Sequence, residues 1–327
     1  MVISSTQSLD LLVYGRRSRT QRLTLAQKKE QLLRTMKGAP EVMVKVSGGG
    51  KTEAHVAAHM DYITRNGQLD AINQDGDVVS GKQEVSDLLD TWEIIDKGEG
   101  KGKKAFNVVL SMPTGTNPEK LLHSVQDFAR EELWGKHQYI MVLHTQETDP
   151  SKKPSPNPHV HLIIKAEGEK NRKARLYIRK ATLEHWRIQF AEKLRENGIE
   201  ANATPRDIRG KTRKPKSMGV YKTEKSGKSV VLHSKIDEAK QEILKGGLQE
   251  KPWDNRIKEK RKNIVGLFVD AVKELRAVGD NELADIAEKY ARNLPKLETE
   301  RHAIIGAIVQ KSENKNPVKS IERDIER

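Results

Sequence analysis

The chain has 327 residues, 35% of them hydrophobic and none of them cysteine, which suits one large domain or two smaller ones and excludes disulfides and thiolate metal sites. No run of about 18 apolar residues exists, so no membrane insertion is expected, and Met1–Arg16 lacks the ordered basic, apolar and small segments of a signal peptide. The net charge is +14, and residues 150–230 hold 21 basic against 8 acidic residues, a net of +13; such a patch suits a polyanion, since bound phosphates release condensed counterions, with a solvated basic face as the alternative.

Residues 1–41 read as an N-terminal extension, with a basic cluster (Arg16, Arg17, Arg19, Arg22) and a helix near Leu25–Met36. Met43–Val46 is a short strand closed by Gly48-Gly49-Gly50. A helix follows from Thr52, a suitable N-cap, to Asn66, with Gly67 as a suitable C′ residue. Residues 95–104 form a mobile loop. Phe106–Met112 is rich in β-formers and stops at Pro113, and Asn117–Trp134 is amphipathic, with Leu121, Leu122, Val125, Phe128 and Leu133 on or beside its apolar face. Gln138–His144 and His159–Lys165 are the clearest strands, separated by the Pro-rich loop DPSKKPSPNP. Residues 180–197 form a helix ending at Gly198. Residues 211–254 read as a basic linker, and 255–327 as a helical accessory region in which Ile264, Leu267, Phe268, Ala271, Val272 and Leu275 keep helical spacing. Strands alternating with helices indicate an α/β or α+β core.

Pro158-His159-Val160-His161-Leu162 carries the strongest local signal. In a strand, residues i and i+2 share a face, so His159 and His161 project together while Val160 turns inward. If the strand ending at His144 pairs alongside, a third imidazole joins them, and three imidazoles make a facial metal site with open positions. A bare His-x-His is also a chance pair on a solvated strand, and three histidines can equally hold zinc for hydrolysis of a small molecule. Gly48–Thr52 (GGGKT) fails the phosphate-loop pattern, because the first glycine would have to be Lys45. His55, His59 and Tyr62 share a helix face, as a stripe facing DNA or a metal site, or as a solvated face.

The segments VSGGGKTEAHVAAHMDYITRNGQLDA, FNVVLSMPTGT, LHTQETDPSKKPSPNPHVHLIIKA and ARLYIRKATLEHWRIQFAEKLRENGIEANATPRDIRG occur in that order. Together they resemble the relaxases of mobilisable plasmids and the endonuclease that nicks T-DNA borders (MOBP, VirD-type), within the HUH endonucleases. The resemblance covers roughly residues 42–210. It implies a relaxase domain there: an α+β fold with a central, mostly antiparallel sheet flanked by helices, followed by the C-terminal helical region. It also implies Tyr62 as the nucleophile and His144, His159 and His161 as ligands of a divalent ion, Mg²⁺ or Mn²⁺. Ser111–Thr116 matches a strand-end segment beside that site. The family's aspartate, two residues after the first histidine, is replaced here by Gln146, leaving Glu147 and Asp149 as the candidate carboxylates.

The expected reaction is site- and strand-specific nicking at a plasmid transfer origin, through a 5′-phosphotyrosyl adduct, in the bacterial cytoplasm. The expected partners are single-stranded transfer-origin DNA, relaxosome accessory proteins and a type IV secretion coupling protein. Lys51, Arg172, Lys173, Arg175, Arg179, Lys180, Arg206, Arg209 and Lys211 are candidate phosphate contacts, and Tyr177 and Trp186 candidate stacking platforms, with core packing the alternative for Trp186. The rival readings are a non-catalytic DNA-binding accessory protein with a structural His cluster, and another HUH enzyme such as a replication initiator or transposase. In the latter the tyrosine follows the His pair, whereas Tyr62 precedes it.

Overall fold

The computed structural model describes residues 7–14, 23–94, 102–171, 173–213, 216–246 and 250–315. The described residues fall into two compact units. One is drawn from Arg16–Thr204, the other from Met1–Gly15 together with Pro205–Arg327. The basic cluster Arg16–Arg22 and residues 95–101 lie outside the described residues. No helix among the described residues is long and apolar enough to cross a membrane.

The first unit is α+β. Helix α2 (Leu25–Lys37) starts in a capping box between Thr24 and Gln27 and stops at Gly38, whose left-handed backbone (φ 75°) releases the chain. Its Thr35 hydroxyl lies 2.6 Å from that of Thr204 and accepts from Asn202. This helix therefore belongs to the body of the unit, although the sequence places it in an extension. Then follow β1 (Met43–Gly48), α3 (Glu53–Ile63), β2 (Ala71–Asn73), β3 (Val78–Val79), α4 (Gly81–Thr91), β4 (Ala105–Ser111), α5 (Pro118–Glu132), β5 (Tyr139–His144), β6 (His159–Lys165) and α6 (Lys180–Glu196). The strands form one sheet in the order β1-β4-β6-β5-β2-β3, and every pairing is antiparallel.

Side-chain alternation divides this sheet into two faces. Val44, Val108, Leu110, Met141, Val160, Leu162 and Ile164 pack with Leu121, Val125 and Phe128 of α5 and with Trp186, Phe190 and Leu194 of α6. On the other face Ala105, Ile140, Val142 and Ile163 pack with Val56, Met60 and Ile63 of α3 and with Val85 and Leu89 of α4. Trp186, a sequence candidate for base stacking, is buried and donates to Glu132. The second face runs out of apolar residues toward the start of β6, and there the histidines lie.

The second unit is helical. It contains α1 (Gln7–Tyr14), α7 (Met218–Lys225), α8 (Val230–Leu244), α9 (Pro252–Ala277), α10 (Asn281–Arg292) and α11 (Glu300–Lys315). Leu9, Leu12, Ile264, Phe268, Ala271, Leu275, Leu283 and Ala287 are buried. Two helices, α7 and α8, occupy the stretch 211–254 that reads as a linker from its charge. Each begins at a serine, Ser217 or Ser229, whose side chain accepts from the backbone three residues on.

Candidate active site

The histidines meet because of the register. Strand β5 pairs with β6 so that His144 lies opposite His159 and Val142 opposite His161. All three rings stand on the α3/α4 face, while Val160 enters the opposite core. The ring centroids are 4.8 Å apart for His144–His161 and 5.2 Å for the other two pairs. One nitrogen from each ring lies within 4.8 Å of the others, so the three rings could converge on a common ion.

The partners of each ring fix what it can donate. His161 directs Nδ1 at Asn107 Oδ1 (3.1 Å) and His159 directs Nδ1 at the Asn157 carbonyl (3.0 Å). Both oxygens accept, so in the neutral rings Nδ1 carries the proton and Nε2 keeps its lone pair, as metal binding requires. Burial, followed by the neighbouring His144 and His159, pushes His161 down to about 3, and burial also lowers His144. Neutral rings suit cation binding, so the donor set fits a divalent ion. His144 differs from the other two. It is fully buried, with Nε2 2.7 Å from the Ile63 carbonyl and Nδ1 3.2 Å from both Arg65 Nη2 and Asp149 Oδ2. With Nε2 donating to Ile63, Nδ1 is an acceptor that Arg65 occupies, so His144 would have to give up a protein partner to hold an ion.

The carboxylate beside the cluster is Asp149. It is buried, and hydrogen bonds from Arg65 hold it well below the usual carboxylate range. Gln146 and Glu147 are exposed. The turn after β5, in which Asp149 N–H donates to the Thr145 carbonyl and Ser151 N–H to Asp149 Oδ1, brings this later residue back to the first histidine.

Tyr62 stands on the last turn of α3. Thr52 caps the start of that helix by accepting from the His55 N–H. Val56, Met60 and Ile63 bury one side of the helix against the sheet, which turns Tyr62 outward. Its side chain is 56% exposed, and its ring meets His161 edge-on with centroids 5.9 Å apart. A cleft of about 660 Å³ opens here, lined by Ser47, Gly49, Lys51, His55, His59, Tyr62, Asn107 and His161 among others. The stripe of His55, His59 and Tyr62 thus faces the cleft. The glycines before α3 permit this close fit: a Cβ on Gly49 would stand 2.5 Å from the Ala105 carbonyl oxygen, and one on Gly50 2.6 Å from Val56.

Of the candidate phosphate contacts, Lys51 lines this cleft. Lys173, Arg179 and Lys180 are exposed elsewhere on the same unit. Arg175 donates to the Lys103 carbonyl and to Glu167, in a separate hollow shared with Lys103, Lys104, Phe106 and the exposed Tyr177. Arg206, Arg209 and Lys211 belong to the helical unit, and Arg172 lies outside the described residues. Two contributors are not evident in the sequence. Asn107, the polar residue within the apolar strand FNVVL, orients His161. Arg65, three residues after Tyr62, ties the tyrosine's turn to His144 and Asp149.

Residues 62–199 match the family model described as Relaxase: MobA/VirD2-like, nuclease domain. Over 128 residues the chain is 27% identical to the 43 kDa relaxation protein of Salmonella typhimurium, a match covering 37% of this chain and 33% of that protein. The stretch similar to the relaxase nuclease domain begins at Tyr62 and includes all three histidines. The matched stretch spans about a third of the Salmonella protein's length.

Proposed function

We propose that the protein nicks one strand of DNA at a plasmid transfer origin by transesterification onto Tyr62, and rejoins it after transfer. The observation that carries this reading is the exposed phenol of Tyr62 standing edge-on to His161 at the mouth of a cleft. A tyrosine hydroxyl, with a reference pKa of about 10, attacks poorly unless the phosphate is made electrophilic. His144, His159 and His161 would hold the divalent ion, Mg²⁺ or Mn²⁺, which when bound draws charge from the nonbridging phosphate oxygens. Tyr62 gives up its proton to water, which can return one to the leaving oxygen, and attacks phosphorus in line. A P–O bond to the phenol forms and the bond to the 3′ oxygen breaks. That oxygen leaves as a free 3′-OH after taking up a proton, and the 5′ end stays on the tyrosine. One phosphodiester is exchanged for another of similar energy, so the same residues run the step backward. Lys51, which lines the cleft, would contact the backbone of a strand entering it. In this reading the protein works in the bacterial cytoplasm, with relaxosome accessory proteins and a secretion coupling protein as partners.

A second reading, a DNA-binding accessory protein with a structural His cluster, is favoured by His144, both of whose nitrogens have protein partners. Incubation with supercoiled transfer-origin plasmid and Mg²⁺ or Mn²⁺ separates the two. The relaxase reading expects a nicked circle carrying protein on its 5′ end, none with Tyr62→Phe, and little with His161→Ala. Bound but uncut DNA supports the second reading, and nicking undiminished in Tyr62→Phe removes the tyrosine assignment.

A further inference from the structure

We propose that Arg65 is the positioning residue that clamps the nucleophile turn to the histidine cluster, an inference that rests on Tyr62 being the nucleophile. One guanidinium touches Asp149, His144 and Tyr62. Its Nε and Nη2 each lie 2.8 Å from a different oxygen of Asp149, a bidentate pair whose carboxylate is 3% exposed. Nη2 also reaches His144 Nδ1 (3.2 Å), and Nη1 donates to the Tyr62 carbonyl (2.8 Å). The guanidinium carbon stands 4.8 Å from the centre of the Tyr62 ring. Planar forks of this kind fix direction as well as distance, which a lysine ammonium does not.

The backbone shows why such a clamp is needed. Tyr62 is the penultimate residue of α3, and the last carbonyls of a helix have no partner within it. Beyond the helix the chain runs through three left-handed residues, Arg65 (φ 53°), Asn66 (φ 58°) and Gly67 (φ 82°). Gly67 is required there, since a Cβ would stand 2.4 Å from the Lys82 nitrogen. Arg65 and Asn66 are not glycines, and L residues adopt this conformation at a cost. Asn66 N–H donates to the Asp61 carbonyl, and the side chain of Arg65 folds back to cap the Tyr62 carbonyl, where a cation is also favoured by the helix dipole. The strained turn thus returns Arg65 to the residue whose place it sets. Stacking of the cation on the exposed ring restricts the ring further. Asp149, held in the loop after β5, anchors the other end.

Three measurements on the full chain test the clamp. In single-turnover nicking of a transfer-origin oligonucleotide with Mn²⁺, Arg65→Ala is expected to slow adduct formation roughly 100-fold, the scale of a misplacement of about 1 Å, with DNA affinity by anisotropy unchanged. Guanidinium ion, below denaturing concentration, is expected to restore part of the rate to Arg65→Ala and none to Tyr62→Phe. Arg65→Lys recovers little, because the fork is lost, and Asp149→Asn slows the step while keeping the arginine. The third measurement does not need nicking. With 3-fluorotyrosine incorporated, the Tyr62 resonance, assigned by its loss in Tyr62→Phe, is expected to be dispersed in the wild type and to move toward the free amino acid's position in Arg65→Ala. An unchanged resonance overturns the clamp whether or not the protein nicks. A wild type that does not nick overturns the proposed function instead. A slowed Arg65→Ala without guanidinium rescue, melting in step with its loss of rate, leaves the residue a folding role only and also overturns the inference.

Discussion

The two faces of strand β6 carry different duties within seven residues. Val160, Leu162 and Ile164 enter the core under α5 and α6, while His159, His161, Ile163 and Lys165 point to the α3/α4 face, where two imidazoles replace apolar packing. One face holds the strand in place and the other presents the imidazoles on that rigid support. The support lies on the far side of the same backbone from the histidine cluster.

Exchanging residues between these duties breaks or sharpens the contrast. The largest effect is expected at Leu162, fully buried: Leu162→Ala removes packing worth about 2–5 kcal/mol, read as a lower urea midpoint, and loses nicking only as far as it unfolds. A loss of nicking at an unchanged midpoint would show that the two faces are not separable. His161→Ala, one residue away, is expected to keep the midpoint near that of the wild type and to lower the nicking rate by roughly 10²–10³-fold, as for removal of one transition-state stabiliser. A smaller effect follows from protonation. Folding keeps His161 neutral down to about 3, whereas the unfolded ring binds a proton below about 6.5. The ring's contribution to stability is therefore complete above about 6.5 and is lost as pH falls toward the folded value. The metal-free protein should melt progressively lower across that window, and His161→Gln should flatten the trend. The smallest change is expected at the cleft rim, where Lys51→Ala should weaken binding of single-stranded DNA and reduce its salt slope by about 0.7 if this lysine meets one phosphate. An unchanged slope would remove Lys51 from the DNA path.

Much of the sheet was legible because short runs of β-formers with Pro or Gly stops mark β4, β5 and β6 in the sequence. The alternation of side chains along a strand put His159 and His161 on one side. The hairpin β2–β3 escaped notice because its strands have three and two residues, too few to show a period, although Asp75-Gly76 supplies a turn signal. Helices α7 and α8 were hidden by charge: Lys and Arg support a helix as readily as they mark a linker, and their serine caps were the better guide. The supporting residues of the site were the least legible. Asp149 reaches His144 by a loop path and Arg65 by a left-handed turn, and neither follows from a spacing along a helix or strand. Asn107 left a signal, a lone amide in an apolar strand, whose meaning depended on which strand lay beside it.

The loop that delivers Asp149 does so at its beginning. Thr145 and Ser151 bracket the carboxylate, and Asn157, which accepts from Thr114, rejoins the chain to β6. Between these anchors Lys152 and Lys153 are exposed, a place where chains tolerate added sequence. A peptide grafted there would lie clear of the two anchored ends, a ready position for a dye or a tether.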